Sequence, residues 1–116
     1  MGAGTYNFTI EQGATFKRIM TWKDSNGNPI NLTGYTARMQ VRTAKDSPNV
    51  ILTLDTDTNG GITLGGVSGT ITIEISASKT ASLDFKTAVY DLELEKDGSV
   101  VRLLEGSVTL SKEVTK

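Results

Sequence analysis

The sequence predicts an all-β protein: an immunoglobulin-like β-sandwich of seven to eight short antiparallel strands with one short helix. Three observations carry that expectation. Apolar residues recur with a period of two, turn-forming residues fall every ~8–12 positions, and a single segment has helical character. At 116 residues the chain fits one domain, 1–116, long enough to bury a core without disulfide or metal staples.

The elements follow in order. Residues 5–10, "TYNFTI", set Tyr6, Phe8 and Ile10 against polar neighbours. After the turn "EQGA" at 11–14, a strand over roughly 15–24 places Phe16, Met20 and Trp22 on one side. Arg18 interrupts that side, which puts this strand near an edge, and Trp22 reads as a core residue. "DSNGNP" at 24–29 is strong turn chemistry, with Asn-Gly followed by Asn-Pro. Residues 35–42, "YTARMQVR", alternate most cleanly: Tyr35, Ala37, Met39 and Val41 inward, Thr36, Arg38, Gln40 and Arg42 outward. Pro48 ends any ladder before the next strand, 50–55. A short strand at 62–64 and "TITIEIS" at 70–76, with Ile71, Ile73 and Ile75 in phase, flank a glycine-rich hairpin.

The segment 77–85 is the one helix candidate, with Ser76 or Ser78 as N-cap and Leu83 and Phe85 as anchors to the core. It is expected to cross between sheets. Residues 87–95 bury Tyr90, Leu92 and Leu94, and Asp97-Gly98 closes a hairpin onto the last strand, 100–110. The phase of that strand slips near Glu105-Gly106, which predicts a bulge there.

Composition narrows the chemistry. The chain has neither Cys nor His, which removes thiolate and imidazole metal sites, Cys nucleophiles, His bases and Ser-His-Asp triads together. With 12 Lys+Arg against 13 Asp+Glu, no charge excess favours nucleic acid or an anionic membrane. Lys17, Arg18, Arg38 and Arg42 are the candidates for a local basic patch, and a solvated face is the simpler reading of them. No apolar run approaches the ~18 residues of a membrane helix. The start, "MGAGT", lacks the basic and apolar regions of a secretory signal, so the chain is expected to be made in the cytoplasm.

One stretch, "DTDTNGG" at 55–61, imitates a metal loop. Asp55, Asp57, Asn59 and Gly60 match the first half of a calcium loop, but Gly66 stands where a bidentate Glu belongs. A corner between two strands, with Asx hydrogen bonds and positive φ at Gly60-Gly61, is the better reading; weak Ca²⁺ contact is the alternative. "GGITLGGVSG" lacks the Gly-Lys-Ser/Thr of a phosphate cradle. Glu93 and Glu95, near Lys96 and Lys112, read as an ordinary solvated edge. No catalytic, cofactor-binding or metal-ligating residue is assigned, and no cofactor is expected.

The ordered set "QGATF" at 12–16, "NLTGYTARMQVR" at 31–42, "YDLEL" at 90–94 and "RLLEGSVTLSKEVT" at 102–115 spans nearly the whole chain. It resembles the β-sandwich of lateral-tail-fibre attachment and collar proteins of long-tailed bacteriophages, and more distantly the N-terminal domains of phage baseplate proteins. The resemblance implies a non-catalytic virion structural protein made in the bacterial host cytoplasm. Such a protein is a tail adaptor in a homo-oligomeric ring, with other tail proteins and tail fibres as partners. The alternatives are a monomeric carbohydrate- or surface-binding module, or a head decoration or head–tail connector protein.

Overall fold

In a computed structural model, residues 4–57 and 60–114 are described. They form an immunoglobulin-like β-sandwich. The strands are β1 (Gly4–Thr5), β2 (Phe8–Glu11), β3 (Phe16–Thr21), β4 (Thr36–Arg42), β5 (Val50–Asp55), β6 (Ile62–Leu64), β7 (Thr70–Ile75), β8 (Thr87–Lys96) and β9 (Ser99–Ser111). A 3-10 turn occupies Gly66–Ser68 and a five-residue helix, α1, spans Ala77–Ala81.

The large sheet runs β1-β9-β8-β4-β5, with β2 also on β9, and the small sheet runs β3-β7-β6. The orders β9-β8-β4-β5 and β3-β7-β6 are those of strands G-F-C-C′ and B-E-D in a variable-type immunoglobulin sandwich. Two expectations need correction. Among the described residues there are nine strands rather than seven or eight, because the first segment breaks into β1 and β2 at Tyr6-Asn7. Nor is every pairing antiparallel, since β1 and β2 both run parallel to β9. The period-two pattern of Tyr6, Phe8 and Ile10 marks a strand but contains nothing about its partner or direction.

Alternation sets the core. β4 buries Ala37, Met39 and Val41; β7 buries Ile71, Ile73 and Ile75; β8 buries Ala88, Tyr90, Leu92 and Leu94. The two inner faces meet in one cluster, and burying such side chains stabilises by about 1.5–3 kcal/mol each. Phe8 is its aromatic hub, with ring centroids 4.8 Å from Tyr90 and 5.5 Å, edge-on, from Phe16, tying β2 to both sheets. Trp22 is only half-buried, stacked edge-on against Tyr35 at the rim, so it belongs to the margin of the core rather than its interior.

The crossing segment behaves as its sequence indicates. Ser76 caps α1 by accepting the Lys79 amide at 3.3 Å, and Leu83 is buried beyond it. Thr80, wholly buried, accepts the Gly13 amide at 3.0 Å and donates to the Ala14 carbonyl at 2.8 Å. That hydroxyl fastens the β2–β3 turn to the helix. The β8–β9 turn has positive φ at both Asp97 and Gly98, the primed geometry of a two-residue hairpin. The bulge in β9 is not at Glu105-Gly106. The register shifts between Leu92 and Glu93, leaving Leu103 as the extra residue, while Gly106 pairs in register with Tyr90. A glycine breaks the apolar phase without breaking the ladder, and that produced the misplaced expectation.

Candidate functional surface

The outward positions of β4, β8 and β9 share one face of the large sheet, because their registers align Arg38 with Glu93 and Glu93 with Arg102. A hollow of about 670 Å³ lies on that face, where Arg38, Arg42, Lys45 and Arg102 interleave with Asp46, Asp91, Glu93 and Glu105. Arg38 meets Glu93 at 3.0 Å, Arg102 meets Asp91 at 3.6 Å and Glu105 at 3.8 Å, and Lys45 reaches Glu105 at 4.0 Å. Arg42 is held differently, donating to the Ser47 carbonyl at 2.6 Å and to Gln40 at 2.9 Å. Four cations against four carboxylates leave the hollow without net charge, so it offers no excess of cations to a polyanion.

A second, smaller hollow adjoins it, where Asp55, Asp57 and Glu95 gather with Arg38, Glu93 and Val100. The face is therefore polarised along its strands. Carboxylates collect beside Thr36, and Arg42 with Lys45 lies at the opposite end of β4.

The sequence-derived candidates scatter. Lys17 and Arg18 lie on β3 in the small sheet, whereas Arg38 and Arg42 lie on β4 in the large one, so they form no single patch. Arg18 turns inward, its guanidinium 4.7 Å from the Phe16 ring centre. Glu93 is paired with Arg38, Lys112 with Asp84 at 3.2 Å, and Lys96 lies 5.5 Å from the Tyr35 ring, which corrects the grouping of those charges on one edge. The pattern Arg38/Gln40/Arg42 and Asp91/Glu93/Glu95 held the signal for the charged face. Reading it required the register between β4 and β8.

Asp55, Asp57, Gly60 and Gly61 lie at the corner where the chain leaves the large sheet for the small one. The Asp55 carboxylate accepts the Asp57 amide at 3.0 Å, Gly60 donates to the Asp57 carbonyl at 2.8 Å, and Asp55 donates to the Gly60 carbonyl at 2.9 Å. Asn59 lies outside the described residues. Among the described residues, no group of three or more Asp or Glu is placed to hold a metal ion. The positive φ falls at Gly61, where a Cβ would come within 2.8 Å of the Glu74 carbonyl.

Tyr90 is buried on β8. Its phenol donates to the Tyr6 carbonyl, and burial, assisted by the nearby Tyr6, pushes it well above the usual tyrosine range. It serves the fold, tying β8 to the point where β1 gives way to β2.

The chain matches no family model and no curated protein. Among solved structures, it is similar to one described as parallel homodimers of the extracellular domains of the voltage-gated sodium channel beta4 subunit, explaining its role in cell–cell adhesion. The identity is 11%, over 98% of this chain and 97% of that one, with a TM-score of 0.47.

Proposed function

We propose that the chain is a non-catalytic structural subunit of a bacteriophage virion, a tail collar or fibre-attachment adaptor that works through protein–protein interfaces. Its partners are other tail proteins, tail fibres and further copies of itself in a ring. The observation that supports this most directly is where the reactive side chains are committed. The Tyr90 phenol, the Thr80 hydroxyl and the Asp55 carboxylate each hold backbone, and no described buried side-chain polar atom lacks a partner. What the molecule presents outward is a polarised charged face and open strand edges, features that suit assembly.

The carbohydrate-binding alternative needs exposed aromatic rings. Of the seven aromatic residues, Phe8, Phe16 and Tyr90 are buried, Trp22, Tyr35 and Phe85 are half-buried, and only Tyr6 is exposed, at 41%. One ring makes no platform, so nothing favours that reading.

The test is quantitative mass spectrometry of purified virions of the phage that encodes the chain. A fixed copy ratio to the tail proteins, retained through a high-salt wash, is expected. Recovery of the chain only in the particle-free lysate would refute the proposal.

A further inference from the structure

The described sheet edges differ sharply in how they are protected. The β1–β2 edge is interrupted at Tyr6-Asn7, where the Tyr6 carbonyl takes the Tyr90 phenol and the Asn7 side chain takes the Ser107 amide. β6 is three residues long, and β3 carries Lys17 and Arg18. β5 has neither device. Its first five residues, "VILTL", contain no charge and no proline, and the guards stand outside them at Pro48 and Asp55. A bulge where the register shifts at Val41/Arg42 displaces Ile51, and Asp55 is closed off by its bridge to Gly61 and its amide hydrogen bond to the Gly60 carbonyl, so the open, regular edge is Leu52–Leu54. An uncharged, β-prone edge of this kind is a template for another strand.

The geometry points to β5 as the strand through which two copies of this chain join, antiparallel and two-fold, into one continuous sheet. This deepens the reading of the chain as a subunit working through protein interfaces, and rests on it. Charge selects both the occupant and the direction. Beside β5, the outer face carries Asp55 and Asp57 toward one end and Arg42, level with Val50, toward the other. A parallel copy would set acid beside acid. An antiparallel copy turns the face end for end, bringing the Asp55 end of each protomer toward the Arg42 end of its partner. The pairing itself contains no like-charge conflict, since Leu52 to Leu54 would face the same uncharged residues. The pair is closed by its symmetry, so a ring of such subunits is built from pairs through a second surface.

The chain has no cysteine, so a single introduced thiol reports only on its own copy in a partner. Thr53→Cys and Asn49→Cys both alter exposed side chains. With the two-fold axis at Thr53, the Thr53 positions lie within ~6 Å of each other, and the Asn49 positions about 27 Å apart. Treated with a bis-maleimide spanning about 8 Å, the purified Thr53→Cys protein is expected to form covalent dimer and the Asn49→Cys protein to remain monomeric. Equal cross-linking of both, or of neither, overturns the proposal. Light scattering supplies the second readout. The wild-type chain is expected to pass from monomer to dimer with concentration, and Thr53→Pro to raise the dissociation constant roughly tenfold or more, a ladder hydrogen bond being lost. A wild-type monomer up to about millimolar concentration, well above the range of specific protein pairs, overturns it and leaves the edge to a strand of another tail protein. If Thr53→Pro does not fold, the cross-linking pattern decides alone. Self-association of the purified chain and its presence in virions are separate measurements, so either idea can fail without the other.

Discussion

Tyr90 on β8 donates its phenolic hydrogen to the carbonyl of Tyr6, which sits directly over Gly106 of β9. A side chain from the middle of the large sheet thereby fixes the point where the first strand breaks in two. Replacing Tyr90 by Phe keeps the ring against Phe8 and removes only this bond, so a loss of about 1 kcal/mol is expected in urea denaturation.

The same residue makes stability depend on pH. Its folded pKa lies above the ordinary 10.0 of the unfolded chain. The stabilisation is therefore complete below pH 10.0 and is lost as pH rises from there toward the folded value. The advantage of about 1 kcal/mol that wild type holds over Tyr90→Phe should vanish and then reverse by one pH unit above that reference, where about 1.4 kcal/mol is lost. A difference that stays constant across that range, measured by urea titration at each pH, would show that the phenol ionises freely in the fold.

Gly106 is fixed by space rather than by φ. A Cβ there would lie 2.3 Å from the Tyr6 carbonyl oxygen, a backbone atom held by Tyr90 and unable to swing aside. Gly106→Ala is expected to cost about 1–3 kcal/mol. Gly27→Ala is the contrast, a left-handed position with open space around it, and should cost about 1 kcal/mol through strain alone. Thermal melts of the two variants separate crowding from strain.

Thr80 holds the β2–β3 turn with one hydroxyl. Thr80→Val preserves shape but leaves the Gly13 amide and Ala14 carbonyl without that partner, so a loss of about 2–3 kcal/mol is expected. Thr80→Ser keeps the hydroxyl and loses a methyl, worth about 1 kcal/mol. Equal losses in the two variants would mean the turn is held by packing.

Arg38 and Glu93 lie only 3.0 Å apart, yet the arginine side chain is 61% exposed. Solvent screening limits such a pair to about 0.2–1 kcal/mol, so a double-mutant cycle should return a value in that range. The outer-face charges therefore contribute little to stability.

Much of this was readable beforehand, for identifiable reasons. Alternation in "YTARMQVR" and "TITIEIS" fixed which side chains face inward, because a strand has two sides and water is on one of them. Asp97-Gly98 and Ser76 fixed a turn and a cap because their chemistry is local. The parallel pairing of β1 and β2 with β9 was invisible, since it joins residues 100 positions apart in register. So was the charged face, whose ion pairs depend on how β4, β8 and β9 align rather than on any one strand. The corner at Asp55 could be proposed from composition, but its hydrogen bonds to Asp57 and Gly60 were needed to separate a turn from a ligand set.

That corner gives a further prediction. Adding Ca²⁺ to several millimolar should move the melting temperature by less than about 1 °C, because a site with so few free carboxylates gains little by mass action. Asp55→Ala should destabilise the chain equally with and without Ca²⁺. A Ca²⁺-dependent rise of several degrees, abolished by that substitution, would restore the metal reading.

The central claim is that this sandwich is a part of a phage tail and acts by being held there. Gold-labelled antibody against the chain, applied to purified virions and imaged by electron microscopy, addresses it most directly. The account predicts label at the tail, concentrated where fibres or the collar attach. Label confined to the head, or virions without label while the chain is abundant in the lysate, would contradict it.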